Sequence, residues 1–233
     1  LLFIVANAAL YRPLAVADPG TLVVFGMQRP ANIAHNFPHF AYETLASEAR
    51  GLDMPTAYAA RRAALTYGTE TVSENGEIVA GTFFQGLGVP MAQGRGLTPA
   101  DDRAGAPAAA VVSAHLWRER FGNAPLDGQS LIINGTVFSI AGVAADRFQG
   151  MFPGTRADFW VPLAHSAPLT GRDLLAARRA SWLFLIGRLR PGVTMQAARD
   201  QLDPTLAKML ADNGLPPQPL VALPGARGTD TLS

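Results

Sequence analysis

Cysteine is absent from the 233 residues of this chain, and lysine occurs only once, at Lys208. Without cysteine the protein has no disulfide, thiol nucleophile, iron–sulfur cluster or cysteine-bound zinc. Charged residues make up only 16% of the chain, and 19 basic residues against 18 acidic ones leave a net charge of +1. Nucleic-acid binding needs a surplus of positive charge to neutralise phosphates, so this composition argues against that class. The 48% hydrophobic content instead predicts a folded domain with a substantial core.

Long apolar segments are also missing, and the one at the start of the chain covers only residues 1–10, LLFIVANAAL. As a helix it would span about 15 Å, half of the ~30 Å hydrocarbon core of a bilayer. Tyr11 and Arg12 follow, as is typical of a membrane helix that ends at the lipid–water interface. We therefore expect residues 1–13 to be the end and exit of a transmembrane helix, and the chain to lie between two membrane spans. A buried N-terminal core helix or strand is the alternative.

Hydrophobic periodicity and turn residues predict the elements of the first third. An apolar strand is expected over 22–27, and Asn36 is the predicted N-cap of a helix. That helix is expected to end before Gly51 and to bury one face, formed by Phe37, Phe40, Ala41, Leu45 and Ala49. A strand over 57–67 follows, and Asn75-Gly76 between two alternating runs predicts a hairpin turn.

In the remaining two thirds, Ser113 is the predicted cap of a helix, and Asn134-Gly135 predicts a second hairpin. Another helix begins after Thr194 and meets Pro204, where a kink or a restart capped by Asp203 is expected. Further short strands are expected at 108–112, 159–163, 182–189 and 216–223.

This order of elements predicts an α+β fold with a discontinuous organisation. Residues 14–80 and 164–233 are expected to form the two halves of one βαβ-type sandwich of sheet and helices. Residues 81–163 are expected to form a smaller inserted mixed α/β subdomain.

Metal and cofactor patterns in the sequence are weak. His35 and His39 have i, i+4 spacing, but an N-cap at Asn36 leaves His35 outside the helix, and a catalytic zinc needs three protein ligands. Asp101-Asp102 could bind a cation, but a solvated turn near a helix start is the favoured interpretation. We therefore predict no metal site and no cofactor-binding residue.

Catalytic and nucleotide-binding motifs are equally unsupported. Gly86-Leu87-Gly88 begins like a dinucleotide loop, but Met91 occupies the position of the third glycine, and the chain has no Walker A motif. A hydrolase that uses Ser113 or His115 would require a hydroxyl that is free rather than capping its helix, and no G-x-S-x-G elbow is present. We therefore predict no catalytic residue.

Four stretches together resemble the MacB-like ABC transporter permeases, in that family's order and spacing and over most of the chain. They are NAALYRPLAVADPGTLVVF, IVAGTFFQGLGVPMAQGRGLTPADD, AAAVVSAHLWRERFGN with GQSLIINGTVFSIAGVA, and DRFQGMFPGTRADFWVPL. The last stretch is similar to the duplicated orphan permeases of that group. The chain departs from the family pattern at Ala15, Thr82-Phe83, Arg147 and Pro204.

The resemblance implies an extracytoplasmic domain of a permease with an FtsX-like membrane core, at the bacterial inner membrane and facing the periplasm. It implies a porter-like sandwich over 14–80 and 164–233 and a Sabre-like insert over 81–163. The implied role is to couple ATP-driven movement of membrane helices to export or release of a substrate. The implied partners are a cytoplasmic ABC ATPase on a separate chain, which would bind the ATP, a second permease copy or half, and a periplasmic adaptor protein.

The loops 94–105 and 150–158 are our candidates for partner contact, because of their position and their glycine and proline content. We expect deletion of residues 151–156, the tip of the second loop, to spare folding and to abolish transport. A soluble periplasmic ligand- or protein-binding module is the alternative function.

Overall fold

A computed structural model describes residues 13–228 of the chain. The predicted membrane-helix end at residues 1–12 lies outside the described residues. Within the described part, no helix is both long and apolar enough to cross a bilayer.

In the part of the chain that the structure describes, twelve strands form one sheet. They are numbered in chain order: β1 (Leu22–Gln28), β2 (Ile33–Ala34), β3 (Asn36–Phe37), β4 (Leu52–Tyr67), β5 (Glu70–Val79), β6 (Met91–Gly94), β7 (Ala109–Ser113), β8 (Ser130–Ile133), β9 (Thr136–Ala144), β10 (Phe159–Pro162), β11 (Leu183–Leu189) and β12 (Leu220–Pro224). Their main hydrogen-bonded order is β12-β1-β11-β4-β5-β10-β7-β9-β6. Strand β2 pairs with β1, β3 with β11, and β8 with both β4 and β9. The β5–β10 and β7–β9 pairs are parallel, so the sheet is mixed.

The helices within the described residues are α1 (His39–Glu48), α2 (Phe83–Leu87), α3 (Ala114–Phe121), α4 (Ala167–Thr170) and α5 (Met195–Asp212). Short 3₁₀ turns occur at Pro19–Thr21 and Leu163–His165. This mixture of helices with a large mixed sheet confirms the α+β class.

Side-chain alternation along the strands builds two cores, one on each face of the sheet. On β11, Leu183 and Leu185 belong to the first core, whereas Phe184 and Ile186 contact the second. Helices α1, α3 and α5 cover the first face with Ala41, Leu45, Trp117, Leu202 and Leu206. Helix α2 and the loop after β9 cover the second face with Phe83, Leu87, Phe148 and Met151.

Three of the predicted local signals are confirmed. The Ser113 hydroxyl accepts a hydrogen bond from the N–H of Leu116 at 3.0 Å, and the Thr194 hydroxyl accepts one from the N–H of Ala197 at 3.1 Å. Asn134 and Gly135 form the β8–β9 turn with φ values of 46° and 81°, as a type I′ hairpin requires.

The predicted hairpin turn at Asn75-Gly76 is wrong, because β5 runs straight through both residues. The β4–β5 hairpin instead turns after Tyr67, which pairs with Glu70, and Gly68 there has φ 55°. Gly76 is a glycine for another reason: a Cβ atom there would overlap the ring of Phe159 on the neighbouring strand β10.

The predicted N-cap at Asn36 is also wrong. Asn36 and Phe37 form strand β3 on the edge of β11, and α1 begins after Pro38, which has no side-chain capping bond. Proline disfavours a helical conformation at the residue before it, so Phe37 is extended. Phe37 is nevertheless fully buried, as the predicted face required.

Helix α5 does not restart at Pro204. It is one helix from Met195 to Asp212 with the proline inside it. Asp203 does not cap a helix, because its Oδ1 accepts the N–H of Leu220 at 2.6 Å and so ties α5 to β12. Ala198, Leu202, Leu206 and Met209 of α5 are all buried in the first core, and this packing outweighs the hydrogen bond that the helix lacks at Pro204.

The segment 81–163 is attached to the rest of the sheet through backbone pairing. Strand β10 pairs with β5, and β8 pairs with β4. The hydrogen-bonded sheet therefore continues from the rest of the chain into this segment at two places, and the division into a sandwich and an insert stays a prediction.

We expect Gly76→Ala to lower the free energy of unfolding by about 1–3 kcal/mol, because the new methyl group overlaps the buried Phe159 ring. Urea unfolding monitored by circular dichroism measures this change. Gly20→Ala is the matched control, because nothing lies within 4 Å of a Cβ there, and it should change stability by less than about 0.5 kcal/mol. Equal stability of the two variants would contradict the close packing of β5 against β10.

Candidate functional site

The loop 94–105 is folded by an ion pair. Arg95 donates from Nη1 to Asp101 Oδ2 at 2.7 Å and from Nη2 to Asp101 Oδ1 at 2.8 Å. Asp101 also accepts the Thr98 N–H and hydroxyl at 2.8 and 2.7 Å. The hydrogen bonds from Arg95 are the main reason that the pKa of Asp101 falls to about 2. The expectation of a solvated Asp101-Asp102 turn is therefore wrong, because Asp101 is buried.

Asp102 joins the two ends of the predicted insert, residues 81–163. Its Oδ2 accepts the N–H of Gly81 at 3.0 Å, and its Oδ1 accepts the N–H of Ala164 at 2.8 Å. These two residues are the points at which the chain enters and leaves the predicted insert. Burial raises the pKa of Asp102, and the two backbone hydrogen bonds partly oppose that shift.

A cleft of about 450 Å³ opens beside Asp102. Helix α1 contributes His39, Tyr42 and Glu43 to its lining, and the loop before β7 contributes Asp102 and Ala104. His39 Nδ1 lies 3.5 Å from Glu43 Oε2. The cleft therefore lies between a helix of the predicted sandwich and a loop of the predicted insert.

Metal binding finds no support at the two histidines. Among residues 13–228 there is no group of three or more His, Cys, Asp or Glu side chains that could hold a metal ion. His35 lies between β2 and β3, and burial lowers its pKa. His39 begins α1, so the two imidazoles do not share a helix face.

A second carboxylate, which the sequence did not reveal, anchors the loop 150–158. Glu77 is only 2% exposed, and it accepts the Met151 N–H at 2.6 Å and the Trp160 indole N–H at 2.7 Å. Burial raises its pKa to about 7, although both hydrogen bonds act in the opposite direction. The apolar run Ile78-Val79-Ala80 could have indicated that Glu77 is buried, because such a run is typical of a strand that is buried on both faces.

The expected protruding tip at 151–156 is wrong. Met151 is fully buried, Phe152 packs against the second core, and only Gly154, Thr155 and Arg156 are exposed. A Cβ atom at Gly228 would overlap the Met151 carbonyl, so this loop also contacts the end of the described chain. Removing 151–156 would take the Met151 N–H away from buried Glu77 and leave the Trp160 indole as its hydrogen-bond donor, so we now expect the deletion to destabilise the fold.

Ser113 is not available to act as the nucleophile of a hydrolase. Ser113 is 3% exposed, and its hydroxyl donates to Asp158 Oδ1 at 2.8 Å while accepting the N–H of Leu116. His115 is not part of this hydrogen-bonded group. The arrangement is that of a helix cap fixed to the start of β10.

Solved structures with similar folds include a periplasmic region and an extracellular domain of transporters. The periplasmic region of MacB from Actinobacillus actinomycetemcomitans has a TM-score of 0.65 and 16% identity, with 90% of each chain covered. A domain assigned to a permease protein from Porphyromonas gingivalis has a TM-score of 0.68 and 16% identity, with 93% of this chain and 96% of that one covered. The extracellular domain of the noncanonic ABC-type transporter YknZ from Gram-positive bacteria has a TM-score of 0.62 and 13% identity, with 87% and 99% covered.

The fold of this chain is therefore the mixed α/β fold of those domains. A family model, the MacB-like periplasmic core domain, matches residues 1–205, and the chain belongs to that family. Membership implies association with a membrane and with an ATPase. Among curated proteins, none matches the chain.

We expect Asp102→Ala to lower the free energy of unfolding by about 2 kcal/mol, because two backbone N–H groups lose their acceptor. Asp102→Asn keeps one carbonyl acceptor and should cost about half as much. Asp212→Ala is the control, since it removes only the exposed ion pair with Lys208, for which about 1 kcal/mol is an upper limit. Equal effects at positions 102 and 212, measured by urea unfolding, would contradict the role of Asp102.

We expect Glu77 to make stability depend on pH. Its folded-state pKa of about 7 lies above the ordinary value of 4.5, so the folded protein binds this proton more tightly. The stabilising contribution is complete below about pH 4.5 and is lost as the pH rises through 7. The stability of wild type relative to Glu77→Gln should therefore fall between about pH 5 and pH 8.

Urea unfolding across that pH range measures the difference, with Glu119→Gln, an exposed change on α3, as the control. A difference between wild type and Glu77→Gln that is constant with pH would contradict the raised pKa.

Proposed function

We propose that this domain couples ATP-driven movement of membrane helices to the export or release of a substrate. The ATP is expected to bind a separate cytoplasmic ABC ATPase, and this chain is expected to contribute neither cofactor nor catalytic residue. A second permease copy or half and a periplasmic adaptor protein are the further proposed partners.

The observation that carries this proposal is the meeting of the two ends of the described chain. The N–H of Leu14 donates to the carbonyl of Ala226 at 2.8 Å, and β1 and β12 are hydrogen-bonded neighbours. Segments that enter and leave at one point suit a domain carried on two adjacent membrane helices. A displacement of either helix would act directly on β1 and β12.

Arg188 on β11 fixes the entering segment to the body of the domain. Its guanidinium donates to the carbonyls of Ala17 and Asp18 at 2.7 and 2.9 Å, and to the carbonyl of Leu87 in α2 at 2.9 Å. These bonds favour rigid transmission of a movement from the entering segment to β11 and α2. Helix α2 follows Gly81, which Asp102 holds at the edge of the cleft.

The cleft beside Asp102 is the proposed point of relative movement, since its walls belong to the two predicted parts of the domain. Its rim residues Glu43 and Ala104 are both exposed. The rim and the exposed part of 94–105 are therefore the proposed contact surface for cargo or for partner proteins.

A soluble periplasmic ligand- or protein-binding module is the second candidate. The cleft favours it, because about 450 Å³ lies within the usual 300–1,000 Å³ range of small-molecule sites. Fractionation of cells that express the intact gene separates the two candidates. Retention in the membrane together with a copurifying ATPase supports the permease, and release by osmotic shock supports the soluble module.

We expect a crosslink across the cleft to slow ATP turnover of the permease–ATPase complex at least fivefold, because coupling requires the walls to move. Glu43→Cys and Ala104→Cys supply the thiols, and the chain has no cysteine of its own. A reducible bismaleimide joins them, so reduction should restore the rate.

The control is Glu43→Cys with Ser47→Cys, which lie one helical turn apart on α1 and leave the cleft free. Equal rates in the crosslinked test and control proteins would contradict movement at the cleft.

A further inference from the structure

A second cavity, of about 320 Å³, lies where the two ends of the described chain meet the loop after β9. We call it the end cavity. Its polar and apolar lining includes Arg147, Arg227, Gln149, Thr155, Leu14 and Phe152. Both arginines are exposed, whereas Leu14 and Phe152 are partly buried against the second core.

The described lining of the end cavity carries two arginines, Arg147 and Arg227. No aspartate or glutamate is among its described lining residues. Asp146, next to Arg147 in sequence, pairs with Arg118 at 3.0 Å. Glu77 lies behind Gly150, and its two oxygens already accept the Met151 N–H and the Trp160 indole. Within residues 13–228, Arg147 forms no ion pair, so its guanidinium has no carboxylate to neutralise it.

The position of the end cavity decides which anion can reach it. Leu14 and Arg227 belong to the segments that, under the proposed function, continue into the membrane. This inference rests on that proposed function, because only then does the end cavity face the lipid surface. Guanidinium groups match phosphate oxygens geometrically, and apolar side chains beside them suit the glycerol and upper acyl region of a lipid.

We propose that the end cavity binds the phosphate headgroup of an anionic phospholipid from the bilayer that carries the domain. Arg147 and Arg227 contact the phosphate, and Leu14 and Phe152 lie against the apolar part of the same lipid. The contact fixes the loop 146–158, and with it the second face of the sheet, at the membrane surface.

Flotation of the full 233-residue chain with vesicles tests this site. One vesicle set contains phosphatidylcholine alone and the other includes about 30% phosphatidylglycerol. Any insertion of residues 1–10 contributes equally to both, so the difference between the sets isolates headgroup charge. We expect Arg147 to account for about fivefold in the preference for anionic vesicles, which corresponds to about 1 kcal/mol for one charge.

Arg147→Gln should therefore reduce that preference about fivefold, and Arg147→Gln with Arg227→Gln at least tenfold. The matched control is Arg103→Gln with Arg172→Gln, two exposed arginines outside the end cavity, which changes net charge equally. Urea unfolding verifies that all variants are folded, as expected for exposed side chains.

An equal loss in the control pair, or equal binding of wild type to both vesicle sets, would overturn the proposal. Displacement from anionic vesicles by inorganic phosphate, at matched ionic strength, would also overturn it in favour of a soluble phosphate ligand. Flotation measures neither ATP turnover nor export, so a negative result there contradicts only the lipid contact. Release of the intact gene product by osmotic shock would contradict the proposed function.

Discussion

The carboxylate of Asp102 accepts hydrogen bonds from two backbone N–H groups at the edge of the cleft, and the arrangement of the cleft depends on them. One oxygen holds the N–H of Gly81 and the other holds the N–H of Ala164. Because the chain enters the predicted insert at the first residue and leaves it at the second, one side chain sets the spacing of both connections. Helix α2 and the turn after β10 are thereby placed beside α1. The two hydrogen bonds of Asp102 therefore act beside the first core, in which Ala41 and Leu45 of α1 pack in the same apolar cluster as Leu163.

The buried carboxyl group of Glu77 acts in the same manner on the opposite face of the sheet. Glu77 holds the loop after β9 through Met151 and holds β10 through Trp160. Its neighbour Gly76 leaves space for the ring of Phe159. The outer loops of this domain are therefore fixed by a few charge-assisted bonds to the sheet. The end cavity exists because the loop anchored by Glu77 reaches the ends of the chain.

Local signals in the sequence predicted the elements well where nothing distant competed with them. Ser113 and Thr194 cap their helices as expected, and Asn134-Gly135 turns a hairpin as expected. The same dipeptide at Asn75-Gly76 does not form the predicted turn. The contact of Gly76 with Phe159, more than eighty residues later, determines the conformation there. The roles of Asp102 and Glu77 were not predictable from local pattern for the same reason: their partners are set by the topology of the sheet.

The topology also dictates when the domain can become folded. Val23 on β1 pairs with Gly187 on β11 and with Pro224 on β12, so the first long strand has its partners at the far end of the chain. Contacts of such sequence separation form late and slowly. Until β11 and β12 have been synthesised, β1 is an apolar strand that lacks both of its long-range partners, which is a hazard for aggregation. The sheet that begins at β1 can therefore be completed only when the last described strand is present.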